Sequence, residues 1–150
     1  MTDIEFMELA LGLAAEAGEL DEVPVGAVIV RDGMVIARAR NSNRSDNCAT
    51  RHAEMIAIEQ ASRILGNERL VGCWLFVTKE PCAMCAGAIV HARIERLVIG
   101  ARDRKYGACG TVLDVCGNVL LNHVPAIEFG LLEERSVGLL QNFFKKKRER

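Results

Sequence analysis

Apolar residues recur along the chain in segments whose spacing changes between a helical and a strand pattern. Apolar side chains concentrate in residues 3–17, which predicts a first helix that ends at Gly18. The β-branched segment 23–30 predicts a buried strand, and a turn at 31–33 leads into a second strand near 34–39. The same patterns predict a polar loop over 40–50, helices over 51–65, 82–92 and 132–146, and strands at 73–78, 97–100 and 126–129. The helix over 51–65 is expected to bury Met55, Ile56, Ile58 and Ala61.

The order of these elements predicts the fold class. Strands that alternate with helices imply an α/β sandwich in which at least part of the sheet is parallel. The chain has 150 residues, no internal repeat and no linker, so a single domain over 1–150 is expected.

The composition is that of an ordinary soluble protein, with 50% hydrophobic and 26% charged residues. No apolar run approaches the roughly 20 residues that span a bilayer. The N-terminus is acidic, whereas a secretory signal begins with basic residues. A cytoplasmic location without membrane contact is therefore expected. The six cysteines are expected to be reduced or metal-bound there, with no disulfide-linked partner.

The net charge of −1 conceals an uneven distribution of charge. Residues 1–90 carry 8 Lys and Arg against 13 Asp and Glu, whereas residues 91–150 carry 11 against 7. Five positive charges lie in the last six residues, 145–150. Such a cluster attracts phosphates, which favours nucleic-acid contact at the C-terminus. A solvated helix end, where cations favour the negative pole of the helix, is the alternative.

The motif with the most chemical information combines His52-Ala53-Glu54 with Pro81-Cys82-Ala83-Met84-Cys85. One imidazole and two thiolates give three zinc ligands, His52, Cys82 and Cys85, and leave one position of a tetrahedral metal open. Each part lies at a predicted helix start, where the partial positive charge favours the thiolate. The pattern H-x-E…P-C-x-x-C is the signature of zinc-dependent nucleobase deaminases.

Other interpretations of these cysteines remain open. Cys-x-x-Cys also occurs in thioredoxin-like redox pairs, although these lack an upstream His-x-Glu. A structural zinc site needs a fourth protein ligand, which in principle could be any of Cys48, Cys73, Cys109 and Cys116. His91 and His123 have no partner at ligand spacing and are interpreted as surface or core residues.

The motif predicts a hydrolytic deamination. Zinc lowers the pKa of a bound water from 15.7 to about 7, which supplies hydroxide at neutral pH. That hydroxide would attack a ring carbon that carries an amino group. Glu54 would act as the catalytic proton carrier between the water, the ring nitrogen and the departing amine.

Beyond this motif, the chain resembles the tRNA-specific adenosine deaminases, members of the cytidine/deoxycytidylate deaminase superfamily, from about Phe6 to Arg148. The resemblance implies a cytidine deaminase-like three-layer α/β/α sandwich around a five-stranded mixed sheet. It implies conversion of adenosine to inosine at the wobble position of an anticodon, one zinc per subunit and a homodimer. The segments that carry it are 22–28, Arg40-Asn41, 80–89, Gly107-Ala108-Cys109-Gly110-Thr111, Leu121-Asn122-His123 and 140–146 with Phe143-Phe144.

The resemblance also implies a set of substrate-binding residues. Asn41 would hydrogen-bond the adenine edge, since an amide can donate and accept at once, and Val25 would form an apolar wall. The loop 102–106 and the segment 143–147 would border the RNA, because aromatic residues beside cations suit splayed anticodon bases. From the residues alone, Asn41 is equally a turn cap, Val25 a strand residue and the phenylalanine pair part of a core. The substrate-binding set is Val25, Asn41, Ala53, Asp103 and Phe144.

Three positions depart from the family pattern. Arg51 precedes the motif where bacterial members carry a small residue, and Cys48-Ala49 replaces an aspartate-containing pair. Lys79 stands where the Thr-Leu-Glu-Pro-Cys run of the family has an apolar residue. Because zinc chemistry alone does not select the substrate, a free-base or nucleoside deaminase acting on guanine or cytosine is the alternative enzyme. A non-catalytic zinc-binding interaction module is the alternative from another class.

Overall fold

The computed structural model describes residues 1–149, and four helices and five strands lie within that range. All nine elements are of the predicted type. No helix in this range combines the length and apolarity needed to cross a membrane. The helices are α1 Asp3–Glu19, α2 Ala53–Leu65, α3 Ala83–Ala92 and α4 Glu133–Arg148; the strands are β1 Gly26–Arg31, β2 Met34–Arg40, β3 Cys73–Lys79, β4 Arg96–Ala101 and β5 Ala126–Phe129.

The strands form one sheet in the order β2-β1-β3-β4-β5. Strand β1 runs antiparallel to β2 and β3, whereas β3, β4 and β5 are mutually parallel. The predicted mixed sheet is therefore confirmed. Parallel strands end at the same edge of a sheet, and the last residue of β3, Lys79, lies opposite Ala101 of β4. The segments that follow these two strands therefore start side by side.

Helices cover both faces of the sheet. Because successive strand residues point to opposite faces, β1 supplies two cores: Ala27 and Ile29 pack with α2 and α3, and Val28 and Val30 pack with α1. Helix α4 lies beside α1 on the second face. The predicted α/β/α sandwich of three layers is thus confirmed, with the sheet buried between two helical layers.

The first helix continues past its predicted end. We expected Gly18 to stop α1, but the helix includes Gly18 and ends at Glu19. The left-handed residue is Asp21, with φ 63°. Its N–H bonds to the carbonyl of Gly18, and the N–H of Glu22 bonds to the carbonyl of Ala17, which is the Schellman arrangement. An aspartate tolerates this backbone conformation, so the glycine signal was misleading.

The buried side of α2 consists of small residues. Ala53, Glu54, Ala57 and Ala61 are buried, whereas the larger Met55, Ile56 and Ile58 are only partly buried. Of the four residues that we expected to be buried, only Ala61 is. Alanines on the inner side of the helix bring its backbone close to the sheet and place a glutamate inside the protein.

Gly26 provides a test of the contact between α1 and β1. A Cβ at this position would lie 2.0 Å from the carbonyl oxygen of Ala10 and 2.8 Å from the nitrogen of Ala14. We expect Gly26→Ala to lower the free energy of unfolding by about 1–3 kcal/mol or more, because α1 must move outward. Urea denaturation measures the change.

Gly12→Ala is the matched control. Gly12 is exposed in α1, and an added Cβ meets nothing within 4 Å. This substitution should raise the free energy of unfolding by roughly 0.5–1 kcal/mol, because alanine favours a helix interior over glycine. A Gly26→Ala protein as stable as the wild type would contradict the close packing of α1 on β1.

Candidate metal and substrate site

The three candidate metal ligands lie where two helices begin. His52 precedes the first residue of α2, Cys82 precedes the first residue of α3, and both have an extended backbone. Neither side chain caps its own helix, so the imidazole and the thiol remain available for other contacts. Cys85 lies in the first turn of α3 and, three residues on, faces the same side as Cys82.

The ligand atoms of these residues fit a tetrahedral zinc ion. The Nδ1 atom of His52 lies 3.6 Å from the sulfur of Cys82 and 3.5 Å from that of Cys85. All three ligand atoms lie within 4.8 Å of one another. Zinc–sulfur bonds of about 2.3 Å and zinc–nitrogen bonds of about 2.0 Å at tetrahedral angles separate nitrogen and sulfur by about 3.5 Å. The observed spacing therefore matches the donor set that zinc prefers.

The other cysteines lie outside this cluster. Among residues 1–149, the metal-ligand group contains only the three residues named above. Cys109 and Cys116 are buried against each other, with their sulfurs 3.0 Å apart, and Cys73 is buried in β3. Cys48 contacts the hydroxyl of Thr50. Three protein ligands leave a tetrahedral ion one position for water or substrate, which is the pattern of a catalytic rather than a structural site.

Hydrogen bonds within the cluster stabilise one thiolate. The pKa of Cys82 falls to about 3, chiefly because Cys85 donates a hydrogen bond to its sulfur, with a further contribution from His52. The pKa of Cys85 rises, because it donates to Cys82 and is buried. The hydrogen bond with Cys82 also raises the pKa of His52. A metal ion that binds these groups must therefore displace protons.

Glu54 lies in the first turn of α2 with its carboxyl turned inward. The residue is 4% exposed, and burial raises the pKa of the carboxyl, an effect that the neighbouring His52 and Lys79 oppose. A carboxyl whose pKa is raised holds a proton more readily and can take part in proton transfer as acceptor and as donor. Glu54 lines the same cavity as His52 and Cys82, and its role as a proton carrier stays a prediction.

A cavity of about 410 Å³ opens beside this cluster. This volume lies within the range of small-molecule sites. Six residues predicted from the sequence line it: Val25, Asn41, His52, Glu54, Cys82 and Asp103. Tyr106, from the loop 102–106 that we expected to border the RNA, lines it too, as do four residues that we had not predicted to bind substrate: Val23, Asn43, Lys79 and Glu80.

Asn41 reaches the cavity in a fixed orientation. Its side-chain carbonyl accepts a hydrogen bond of 2.8 Å from the backbone N–H of Ala53, and the residue is 7% exposed. This hydrogen bond uses one of the two lone pairs of the carbonyl oxygen. The expectation that the amide donates to and accepts from a ligand at once stays a prediction. Ala53, also predicted to bind substrate, is fully buried, and its N–H orients Asn41.

Phe144 lies away from this cavity. It is 44% exposed on α4, where its ring packs edge-on against Phe143, and it borders a shallow surface groove with Lys145 and Arg148. The structure therefore does not bring Phe144 together with the cluster. Any contact of this residue with a substrate must involve a part of the substrate outside the cavity.

Glu80 is a buried carboxylate that the sequence analysis did not single out. Its Oε1 accepts hydrogen bonds from the N–H of Asp103 and the hydroxyl of Thr111, and its Oε2 accepts from the N–H groups of Cys109 and Thr111. An acidic residue between a buried strand and the Pro-Cys motif could have signalled this role, because a buried carboxylate requires such donors. Glu80 thereby holds segment 103–111 against the end of β3.

Asp103 and Lys79 form an ion pair on the cavity wall. The Nζ atom of Lys79 lies 3.1 Å from Oδ2 of Asp103. Oδ1 of Asp103 accepts the backbone N–H groups of Lys105 and Tyr106. The pKa of Asp103 is lowered by these N–H donors and by Lys79, which outweigh the opposing effect of burial. Asp103 is therefore an ionised and fully engaged carboxylate.

The three-layer sandwich and the His/Cys/Cys cluster at two helix starts together define a cytidine deaminase-like protein. The chain belongs to the MafB19-like deaminase family, which it matches over residues 1–148. The resemblance to tRNA-specific adenosine deaminases is confirmed by relatives that carry this name. One from Agrobacterium fabrum is 50% identical over 143 residues, covering 95% of this chain and 94% of that protein. One from Bacillus subtilis is 43% identical, covering 97% and 90%.

Solved structures agree with this assignment. A structure from work on A-to-I editing by tRNA:A34 deaminases at the wobble position of transfer RNA has a TM-score of 0.88 and 50% identity, covering 91% of this chain and 99% of that chain. A guanine deaminase from Bacillus subtilis has a TM-score of 0.68 and 31% identity, covering 100% and 96%. Deaminases that act on different substrates therefore share this fold.

Replacement of Glu80 tests how the segment 103–111 is held. In Glu80→Gln, an NH₂ group would face backbone N–H groups that need an acceptor. We expect a loss of about 1–3 kcal/mol in the free energy of unfolding. Hydrogen exchange at the amides of Cys109 and Thr111 should become faster, as mass spectrometry can measure.

Glu59→Gln is the control for this change. Glu59 is an exposed residue of α2 that pairs with Arg51, and loss of such a pair should cost less than about 1 kcal/mol. Unchanged exchange over residues 103–111 in Glu80→Gln would contradict the anchoring role of Glu80.

Proposed function

We propose that this chain hydrolyses adenosine to inosine at the wobble position of a tRNA anticodon. The observation that carries the proposal is the buried carboxyl of Glu54 in the same cavity as the His/Cys/Cys cluster, in a chain half identical to a tRNA-specific adenosine deaminase. The reaction adds water to the adenine ring and releases ammonia. A tRNA substrate also favours a cytoplasmic location.

We propose that His52, Cys82 and Cys85 hold one zinc ion per chain. Their donor types and spacing support zinc over a harder ion such as Mg²⁺, which prefers oxygen ligands. Zinc bound there would act as a Lewis acid and activate water at neutral pH. The N-termini of α2 and α3 favour the anionic sulfurs that the ion requires.

The proton transfers are assigned to Glu54. Its carboxylate would take one proton from the attacking water and deliver it to N1 of adenine. It would then carry the second water proton to the amino group, which leaves as ammonia and yields the carbonyl of inosine. The burial of Glu54, which raises the pKa of the carboxyl, supports this exchange of protons. General acid–base help of this kind contributes about 10²–10⁴-fold to a rate.

Binding of the adenine ring is assigned to other residues that line the cavity. The NH₂ group of Asn41, whose orientation the hydrogen bond from Ala53 fixes, would donate to the N7 acceptor of adenine. Val25 would supply an apolar surface, and Asp103 and Tyr106 would border the nucleotide at the cavity wall. Each of these roles uses a side chain that lines the cavity.

Contact with the rest of the RNA is assigned to the end of α4. Lys145, Lys146, Lys147 and Arg148 lie in its last turn, and the exposed Phe144 offers a ring on which a splayed base could stack. Lys147 also pairs with Asp21, so part of the charge has a structural role. The distance of Phe144 from the cavity suits a substrate longer than one nucleotide.

A homodimer is the assembly that the family resemblance implies. The exposed apolar side chains of the loop between β4 and β5 support it, because Val119 is 82% and Leu120 is 89% exposed. Light scattering after size exclusion would measure the mass. We expect twice the chain mass of 16.5 kDa, and a monomer at micromolar concentration would contradict this assignment.

The substrate assignment is tested with four substrates side by side. Purified protein is incubated with an anticodon stem-loop that carries a wobble adenosine and, separately, with free adenine, cytosine and guanine. We expect inosine and ammonia from the stem-loop alone. Product from guanine alone would favour the free-base alternative that the guanine deaminase fold permits. Zinc binding without any product would favour a non-catalytic module.

Variants of the cluster separate metal binding from catalysis. Zinc content, measured by plasma mass spectrometry, should be one per chain in the wild type and should fall strongly in His52→Ala and Cys85→Ser. Cys48→Ser, outside the cluster, is the control and should keep its zinc. Glu54→Gln should keep zinc but lose at least about 10²-fold in kcat. A fully active Glu54→Gln protein would refute the assigned role of Glu54.

A further inference from the structure

Lys79 is the single ammonium or guanidinium group among the described residues that line the cavity. The carboxylates in the same lining are Glu54, Glu80 and Asp103. An RNA substrate adds the negative charge of the phosphates on either side of its target nucleotide. A cavity with more acidic than basic side chains in its lining disfavours these phosphates unless a cation meets them. Lys79 is the residue placed to do so.

The ammonium of Lys79 is held in position before any substrate binds. Asp103 fixes it from one side at 3.1 Å, and Asp103 is itself fixed by the N–H groups of Lys105 and Tyr106. The Lys79 side chain is only 26% exposed, so most of its conformational freedom is already lost. A group that is ordered in advance gains more free energy from a new contact than a free surface lysine does.

The ammonium retains donors for a ligand. A lysine has three N–H donors, and within residues 1–149 the Lys79 side chain contacts one oxygen, Oδ2 of Asp103. Glu80, the next residue, does not compete for the ammonium, since both of its oxygens accept hydrogen bonds from segment 103–111.

We infer that Lys79 binds one of the two backbone phosphates that flank the target nucleotide and so favours a polynucleotide over a free base or nucleoside. This inference rests on the proposed function. The inference also gives Lys79 a role. Lys79 lines the cavity, and it stands where the family pattern has an apolar residue. The phosphate would share the ammonium with Asp103, and the target base would lie deeper, toward Glu54.

The test measures the affinity for RNA rather than the rate of deamination, so its result does not depend on catalysis. The probe is a fluorescent anticodon stem-loop with inosine, the product base, at the wobble position, so that no reaction alters it during a titration. Two further probes carry an uncharged methylphosphonate in place of the phosphate on the 5′ or the 3′ side of that nucleotide. The proteins are the wild type, Lys79→Met, Lys79→Gln and Lys79→Arg.

Arg69→Gln serves as the matched control. Arg69 is exposed in the loop before β3, at the opposite end of the strand from Lys79, and its substitution removes the same charge. Thermal unfolding of every variant confirms that it is folded. Lys79→Gln keeps a polar group opposite Asp103, which preserves the experiment if the methionine variant is unstable.

We expect Lys79→Met and Lys79→Gln to weaken binding of the unmodified probe about tenfold, and Lys79→Arg and Arg69→Gln to weaken it less than about threefold. The slope of log Kd against log salt should fall by about 0.7 without Lys79.

One methylphosphonate should weaken wild-type binding about tenfold and leave Lys79→Met binding unchanged. Two results would overturn the inference. One is that the 5′ and the 3′ methylphosphonate each weaken binding equally in the wild type and in Lys79→Met. The other is that the wild type does not bind the probe measurably.

Deamination of the corresponding adenosine stem-loop is measured in parallel. If the wild type converts adenosine while the methylphosphonate effects are independent of Lys79, the proposed function stands and the inference fails. If the wild type does not convert adenosine but the effects depend on Lys79, the phosphate site stands and the proposed reaction fails.

Discussion

The site depends on one buried carboxylate, that of Glu80. Strand β3 ends one residue before it, and the Pro81-Cys82 turn that begins α3 comes directly after it. Both of its oxygens hold the segment that follows β4. The parallel pairing of β3 and β4 brings these two segments to the same edge, and the hydrogen bonds to Glu80 then hold them together, along with a backbone bond from Ala108 to Pro81. The turn that carries Cys82 and the wall that carries Asp103 thus contact the same buried group.

Much of the fold could be predicted because its signals are local. For example, strand β5 and helix α3 were each predicted from a short apolar segment. Boundaries and inward faces were less predictable. Glycine often follows the last residue of a helix, but Gly18 lies inside α1 and the left-handed turn comes at Asp21. The end of the helix depends on which later N–H groups reach its free carbonyls, here those of Asp21 and Glu22. In α2 the alanines face inward rather than the isoleucines, because the distance between helix and sheet is set by tertiary packing.

The His/Cys/Cys cluster could be predicted because residue type and spacing determine it: a Cys-x-x-Cys at a helix start and a histidine before another helix are recognisable in sequence. Part of the cavity wall could not be predicted in the same way. Lys79 and Glu80 reach it from the end of β3, and their proximity to the segment after β4 depends on the sheet order. Phe144 borders a separate groove on α4, and its contact with RNA stays a prediction.

The hydrogen bond between Asn41 and Ala53 fixes the amide of Asn41 in one orientation. The N–H at the start of α2 bonds to the carbonyl oxygen, so the NH₂ group takes a defined position in the cavity wall. Adenine and guanine both offer N7 as an acceptor on the same edge, so the proposed contact of this NH₂ group with N7 distinguishes purines from pyrimidines but not one purine from the other. With respect to this contact, the choice between the two purines depends on the groups around the amino-bearing carbon and on the RNA outside the cavity. A change of substrate between purines would leave the N7 contact intact.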